Sequence, residues 1–189
     1  MSDSFSAILR GRRIDIPYRS HGATRVWSWA SQSTLCLGTR NHDGYFREKC
    51  LSMILARKTI DYDSLPYILK LAEEYVLEIV ALVADGLPLV PDAMWREFLR
   101  ENPLWLDRME CRCVSYWDCY YRRRADTLET ILMEKGGYRL VPGNSVGIRF
   151  ERGDYPGIRA VWYLRRLAGD KACGDMSPKG AGHAIASNP

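Results

Sequence analysis

Apolar and polar positions alternate along most of the chain with a period of three to four residues, which is the period of an α-helix. The pattern is clearest in DSLPYILKLAEEYVLEIVALVADGL, residues 63–87, where apolar side chains recur at helical spacing throughout. Shorter runs of the same kind predict helices over residues 24–38, 41–58, 88–102, 103–124, 125–137 and 154–169. Because the connections are short, the pattern predicts a mostly all-α fold of antiparallel helix pairs.

Three parts of this pattern leave alternatives open. The apolar run over residues 65–84 is compatible with one long helix or with two short helices broken near Glu74. The segment YRLVPGNSVGIRF, residues 138–150, has two β-favouring runs around Pro142-Gly143-Asn144, which predicts a small β-hairpin or an ordered loop. Near the N-terminus, RRIDIPYRS alternates briefly and is typical of a short strand or an extended arm.

Helix boundaries are predicted from residues that satisfy the free backbone groups of a terminal turn. Candidates for the first position are Asn41 or Asp43, Asp63 or Ser64 followed by Pro66, and Asp92. Gly38 is expected to end the first helix, because glycine adopts the left-handed conformation without strain. One face of that helix would be shared by Val26, Trp29, Ala30, Ser33 and Leu37.

The segment RMECRCVSYWDCYYRRR, residues 108–124, concentrates cysteine, tyrosine and arginine. At helical spacing, one face of this region collects Leu106, Met109, Cys113, Trp117 and Tyr120. The opposite face collects Arg108, Arg112, Ser115 and Arg122. We interpret the segment as an amphipathic helix with an aromatic-rich buried face, in which cysteine acts as a small apolar side chain. Its end is an exposed run of arginines.

The cysteines of this segment do not have the spacing of a metal site. Zinc sites usually combine Cys-x-x-Cys pairs whose sulfurs converge on one point. On a helix, Cys111 and Cys113 differ by about 200° of rotation, and Cys113 and Cys119 differ by about 120°. The three histidines of the chain are distant in sequence. We therefore expect neither a metal nor another cofactor.

Composition is typical of a globular protein. The chain has 189 residues, 47% hydrophobic and 26% charged, which suits a single helical domain over residues 1–170. Residues 171–189 are small, polar and rich in Gly and Pro, and are expected to be a disordered tail. No apolar run approaches the roughly 18 residues of a membrane span, and no signal peptide is visible. We expect a cytoplasmic protein with free thiols and no membrane partner.

Motifs of common enzyme classes do not occur in the sequence. The glycine-rich run GGYRLVPGNSVG lacks the Gly-Lys-Ser/Thr ending of a phosphate-binding loop, and there is no Gly-x-Ser-x-Gly. Three histidines provide little capacity for acid–base catalysis. The acidic residues are interpreted as helix caps and exposed faces, namely Asp61, Asp63, Glu73, Glu74 and Glu78. We expect no catalytic residues.

Gly44, Tyr45, Phe46, Arg47 and Glu48 begin one predicted helix, and Asp63, Leu65 and Pro66 precede the next. With these residues, the segment over 41–87 resembles a bacterial HEAT-type helical repeat. HEAT repeats usually carry an Asp–Val–Arg pattern across the second helix, whereas YVLEIVALV has no arginine. The resemblance implies a short α-solenoid that binds a partner on its concave face, and it implies no chemistry.

We expect the protein to bind another protein. The more specific hypothesis is that it acts as an immunity or antitoxin-type inhibitor of that partner. The alternative is a nucleic-acid-associated helical protein that uses an arginine and aromatic patch. That alternative is weakened by a pI of 8.7, because nucleic-acid-binding domains usually exceed 9. Arginine, tyrosine and tryptophan commonly anchor interfaces. The expected contact residues are Tyr121, Arg122, Arg123, Arg124, Trp162 and Arg166.

Overall fold

The computed structural model describes residues 4–21, 25–121, 130–134, 137–141 and 152–169. Within these ranges the chain is mostly helical, with seven α-helices and two small antiparallel hairpins. The strands are β1 Ser4–Leu9, β2 Arg12–Pro17, β3 Thr130–Glu134 and β4 Gly137–Val141. The helices are α1 Gln32–Gly38, α2 Gly44–Leu55, α3 Leu65–Ala72, α4 Leu77–Gly86, α5 Asp92–Glu101, α6 Trp105–Tyr116 and α7 Pro156–Ala168. The mostly all-α prediction is confirmed.

The N-terminal hairpin joins β1 to β2 through the two-residue turn Arg10-Gly11. Both turn residues have positive φ, 51° and 74°, as a tight type I′ hairpin turn requires. The alternation seen in the sequence buries Ala7, Leu9 and Ile16. The segment is therefore a strand and not an extended arm.

The first helix is shorter than predicted, because it begins at Gln32 and not near residue 24. The side chain of Ser31 accepts a hydrogen bond from the backbone N–H of Thr34, which starts the helix at this point. Trp29, expected on the buried face, is 78% exposed, and Leu37 is also exposed. The prediction was wrong because aromatic residues outside a helix imitated its period.

Glycine at position 38 has a different role from the one predicted. Gly38 is the last helical residue of α1, and Thr39 occupies the C-cap with ordinary right-handed backbone. A Cβ at residue 38 would lie only 2.5 Å from Cys50 Sγ. Glycine is therefore required because α1 and α2 approach closely, and not because of a left-handed turn. In α2 itself, Asp43 is the cap, since its carboxylate accepts from the N–H groups of Tyr45 and Phe46.

The apolar run over residues 65–84 forms two helices, α3 and α4, separated near Glu74. At this break the Glu74 carboxylate turns inward and pairs with Arg47. Glu74 and the side chain of Glu73 are buried, so their interpretation as exposed residues was wrong. A buried ion pair, which helical periodicity does not reveal, accompanies the division of this segment.

The helix predicted over residues 125–137 is also wrong, because residues 130–134 form strand β3. Strand β3 pairs with β4, with Thr130 opposite Val141 and Glu134 opposite Gly137. Short apolar runs fit a strand as well as a helix turn, and the tertiary fold decides between them. Of the segment predicted as a small hairpin or an ordered loop, 138–150, the first run is a strand, since residues 138–141 belong to β4. Residues 142–150 and the predicted tail, 171–189, lie outside the described residues.

The core lies between helices that pair in chain order, except for α5, which contacts α7 and β1. Helix α1 contacts α2, α3 contacts α4, and α6 contacts α7. Between pairs, α1 and α6 both contact α3, while α2 and α7 both contact α4. The buried faces predicted for α5 and α6 are confirmed at Trp95, Phe98, Leu99, Met109 and Cys113.

One predicted core position at the end of α6 is exposed. Residues Trp117–Tyr121 continue the helix as a π-helical turn, which holds more residues per turn than an α-helix and shifts the phase of its faces. Tyr120 is consequently 39% exposed, although the α-helical period placed it in the core. Among the described residues, no helix is both long and apolar enough to cross a bilayer.

Candidate functional site

A charged pocket of about 250 Å³ lies where the C-terminal ends of α1, α3 and α6 meet the end of β2. We call it the arginine pocket. Its lining residues come from four separate stretches of the chain: Tyr18, Arg19, Arg40, Lys70, Glu73, Glu74, Arg112 and Tyr116. Four of these side chains are cationic and two are carboxylates, so the lining carries a net positive charge at neutral pH.

The Arg47–Glu74 ion pair supports one side of this pocket. Arg47 Nε and Nη2 donate to the same oxygen of Glu74, at 3.1 and 2.7 Å. Its Nη1 donates to the backbone carbonyls of Asn41 and His42. The second carboxylate oxygen of Glu74 lies 3.0 Å from Arg19 Nη2. Because both ion-pair partners are buried and held by several bonds, Glu74 has a defined position at the pocket wall.

Arg40 is the most deeply buried cation of the pocket, with 1% of its surface exposed. Its Nη2 donates to the carbonyl of Tyr18 at 2.7 Å, and its Nε donates to the carbonyl of Pro17 at 3.3 Å. Its Nη1 makes no hydrogen bond with any described residue. Burial, reinforced by the nearby charge of Arg19, lowers the pKa of Arg40 to about 10, so it remains charged at neutral pH.

Lys70 is the second enclosed cation. Its Nζ donates to Glu73 at 2.5 Å and lies over the rings of Phe5 and Tyr18, at 4.9 and 5.2 Å from their centres. Burial lowers the pKa of Lys70, and the Glu73 carboxylate partly offsets this effect. Arg112, by contrast, is exposed on α6. The pocket therefore combines two cations enclosed by the fold, Arg40 and Lys70, with the more exposed Arg19 and Arg112 at its rim.

A group of four tyrosines adjoins the arginine pocket at Tyr116, and we call it the tyrosine surface. It consists of Tyr75, Tyr116, Tyr120 and Tyr121. The rings of Tyr75 and Tyr120 stack with centres 5.6 Å apart, and Tyr116 lies 6.2 and 6.1 Å from these two rings. The hydroxyl of Tyr121 donates to the carbonyl of Tyr75 at 2.5 Å. Tyr75 is 55% and Tyr120 39% exposed, so this stacked pair of rings is presented to solvent.

The contact residues expected from the sequence are placed in different parts of the molecule. Tyr121 belongs to the tyrosine surface, and its ring stacks on buried Tyr155 at 5.2 Å. Trp162 is half-buried on α7, where a Cβ on Gly153 would meet its ring at 3.0 Å. Arg166 is exposed on the same helix. Neither α7 residue lines the arginine pocket. Arg122, Arg123 and Arg124 lie outside the described residues.

Sequence reasoning missed most of the arginine pocket. The available signal was a set of charged residues inside or beside otherwise apolar runs: Arg40 after α1, Arg47 within α2, and Lys70, Glu73 and Glu74 in ILKLAEEYVL. Charges at buried helical positions need partners, because an unpaired charge in the core is unfavourable. A search for such positions would have indicated buried ion pairs, without revealing which residues meet.

The cysteines near the end of α6 point in different directions. Cys113 is buried, and its thiol donates weakly to the carbonyl of Ala72 at 3.4 Å. Cys111 and Cys119 are exposed. Within the described ranges, no three His, Cys, Asp or Glu side chains form a group suited to hold a metal ion.

Comparisons with known proteins do not place the chain in a family. No protein-family model, no curated protein and no solved structure matches it. The arginine pocket and the neighbouring tyrosine surface are therefore the features of the molecule that bear on its function.

Proposed function

We propose that this protein is a non-catalytic binding protein whose tyrosine surface contacts a protein partner. The observation that carries the proposal is the exposed, stacked pair of Tyr75 and Tyr120 beside a cationic pocket. Tyrosine provides a large, rigid contact area and a polar hydroxyl, and it is enriched among the residues that dominate binding energy. The neighbouring cations Arg19 and Arg112 complement a partner whose matching surface is acidic.

We further propose that the helix pairs form a short HEAT-like solenoid. The support is the pattern of contacts, in which α1, α3 and α6 follow one another on one side and α2, α4 and α7 on the other. Stacked helix pairs of this kind provide extended binding surfaces. The arginine pocket lies at the ends of α1, α3 and α6, which is the side that we assign to the partner.

An immunity or antitoxin-type inhibitor is the specific role that we propose within this class. Such a protein works by covering its target, so a rigid contact surface is sufficient and no catalytic group is needed. The free thiols of Cys36, Cys50 and Cys113, all buried, suit the reducing conditions of the cytoplasm. The exposed tyrosines and the neighbouring cations support this role, whereas the fold alone does not define a function.

The test is capture of a partner by the full-length protein from lysate of its own host, with matched variants. Tyr75→Ser combined with Tyr120→Ser removes the stacked pair, whereas Tyr45→Ser removes a tyrosine that is 86% exposed on α2. We expect one stoichiometric protein, retained by the Tyr45 variant and lost with the double variant. Equal capture by all three proteins, or capture of no protein, would contradict the proposal.

Nucleic-acid binding is the second candidate function, favoured by one observation. Arg112 and Tyr116 lie one turn apart on α6, so a cation and an aromatic ring face the same side, as in proteins that bind single strands. Binding of single-stranded DNA and RNA measured against salt concentration tests this candidate. Phosphate-dominated binding weakens steeply with salt, and no binding at low salt would eliminate it.

A further inference from the structure

The unsatisfied guanidinium nitrogen of Arg40 indicates a ligand for the arginine pocket. Buried polar groups in proteins nearly always have a hydrogen-bond partner, and a buried charged donor without one is destabilising. Arg40 Nη1 is such a donor, on a side chain that is 1% exposed and lines the pocket. An anion in the pocket would supply the acceptor. We propose that the arginine pocket binds the phosphate group of a small phosphomonoester.

The charge of the lining favours a dianion over a monoanion. The cations are Arg19, Arg40, Lys70 and Arg112, and the carboxylates are Glu73 and Glu74. Their sum is a net charge of +2 at neutral pH, from four positive and two negative side chains. A phosphomonoester carries about −1.5 to −2 at pH 7 and has three strong acceptor oxygens. It therefore balances the lining more closely than a carboxylate, which carries one charge.

The geometry of the cations also suits phosphate. Arg40 is held from behind by its bonds to the carbonyls of Pro17 and Tyr18, so its free nitrogen is preorganised. Lys70 is held by Glu73. Arg112 and Arg19 are more exposed, and their guanidinium groups are able to bind phosphate oxygens from the rim. Binding therefore requires the ordering of only part of the site.

Space and shape limit the size of the ligand. A cavity of about 250 Å³ is larger than a phosphate group alone and smaller than the pockets of many drug-sized ligands. The rings of Tyr18 and Tyr116 line it, so part of its wall is aromatic. A phosphate ester with one small apolar or aromatic group matches both features.

Stabilisation of helix ends is not a sufficient explanation for the cluster of cations. The ends of α1, α3 and α6 carry partial negative charge, which favours cations nearby. Arg40 Nε and Nη2 already donate to backbone carbonyls, however, and Arg40 Nη1 makes no hydrogen bond with a described residue. The two carboxylates form ion pairs with Arg19, Arg47 and Lys70, and Glu74 Oε1, 3.0 Å from Arg19 Nη2, makes no hydrogen bond with a described residue. A bound anion would supply the missing acceptor for Arg40 Nη1, whereas the helix ends do not.

The proposal is tested by isothermal titration calorimetry of the full-length protein at low salt. The probes are inorganic phosphate, phenyl phosphate and benzoate, of which benzoate keeps the ring but has a single charge. We expect both phosphate probes to bind, with phenyl phosphate at least about tenfold tighter than benzoate, as for the loss of one charge-assisted contact. No binding of either phosphate probe, or equal affinity for phenyl phosphate and benzoate, would overturn the proposal.

Two substitutions in α6 test whether the phosphate probes bind in the arginine pocket. Arg112→Gln removes a cation of the lining, and Arg108→Gln removes another exposed arginine, one turn earlier on α6, that does not line it. We expect affinity for phenyl phosphate to fall about tenfold with Arg112→Gln and to change by less than about twofold with Arg108→Gln. Equal effects of the two substitutions would show that binding occurs through general charge and would refute the site.

Arg40→Lys provides an independent test, because lysine keeps the charge but lacks the forked guanidinium. Circular dichroism and thermal unfolding report whether this variant folds. A folded variant is expected to bind phenyl phosphate about tenfold more weakly, and wild-type affinity would overturn the role of Arg40. Should it not fold, the α6 variants decide. The inference does not depend on a protein partner, since the small-molecule titration and the capture experiment can fail separately.

Discussion

At the scale of single residues, the Arg47–Glu74 pair is a buried ion pair on which both stability and the pocket depend. Both side chains are buried, and Glu74 also lies 3.0 Å from Arg19. Enclosing two charges is unfavourable unless each satisfies the other, so the pair must form together. It connects α2 to the break between α3 and α4, which positions the wall of the arginine pocket.

The substitution Glu74→Ala is expected to destabilise the protein by about 3–5 kcal/mol, because it leaves the buried Arg47 charge without its partner. The matched control is Arg96→Ala, which breaks an exposed pair with Asp92, 3.8 Å apart, and should change stability by less than about 1 kcal/mol. Urea denaturation curves of the three proteins measure both effects. Similar small changes in both variants would contradict a buried, paired Glu74.

At the scale of elements, the N-terminal hairpin is fastened to the end of α5 by two side chains. The Glu101 carboxylate accepts hydrogen bonds from the backbone N–H groups of Arg10 and Gly11, at 2.8 and 2.9 Å, and from the hydroxyl of Tyr62. Asn102 exchanges two bonds with the backbone of Ile8, both 2.8 Å long. Since β2 leads into Tyr18 and Arg19, this attachment also holds one edge of the pocket.

The Glu101 attachment is expected to weaken in acid. Burial alone would raise the pKa of Glu101, but the bonds donated by Tyr62, Arg10 and Gly11 outweigh it and lower the pKa. For a carboxyl with a lowered folded-state pKa, stabilisation is present above the unfolded value, about 4.3, and is lost as the pH falls through the lower folded value. Glu101→Gln should therefore unfold at lower urea than wild type at pH 7.

The pH dependence of this difference is the measurement that checks the prediction. The gap between wild type and Glu101→Gln should shrink as the pH falls below about 4.3, because the wild-type carboxyl then becomes protonated as well. Other acidic groups titrate equally in both proteins and cancel in the comparison. A gap that stays constant from pH 7 to pH 3 would show that the charge of Glu101 has no role.

At the scale of the whole molecule, the described helices enclose one core that contains three cysteine thiols. Burial raises the pKa of Cys36 and Cys50 to about 11 and that of Cys113 to about 12. The thiolate is the reactive form, so at pH 8 only about one part in a thousand of a thiol with a pKa of 11 is reactive. The core thiols are thus protected both by inaccessibility and by protonation.

Reaction of these thiols is expected to report unfolding of the whole protein. In a Cys111→Ser/Cys119→Ser/Cys173→Ser variant, only the three buried cysteines remain. We expect a disulfide reagent at pH 8 to label them together and slowly, at a rate that increases with urea and reaches the free-cysteine rate in unfolded protein. Rapid labelling of any one thiol in the native protein would show that its part of the core opens independently.

The sequence by itself determined where most helices lie and which of their faces are buried. Spacing of apolar residues is a local property, and it correctly indicated Trp95, Phe98 and Leu99 in α5 and Met109 and Cys113 in α6. The predictions from this spacing were wrong where another interaction overrode the helical period. Ser31 starts α1 late, strand pairing removes the helix predicted at residues 125–137, and the π-helical turn exposes Tyr120.

Only the tertiary structure determines which residues form the arginine pocket. Its residues belong to stretches around positions 18, 40, 72 and 114, and no local pattern relates them. A charge inside an apolar run is ambiguous in sequence, because its burial depends on whether a distant partner reaches it. Glu74 is buried since Arg47 meets it across two helices, and Arg40 lines the pocket since the end of β2 binds it from behind. The helices are thus set by local periodicity, while the site depends on long-range pairing of charges.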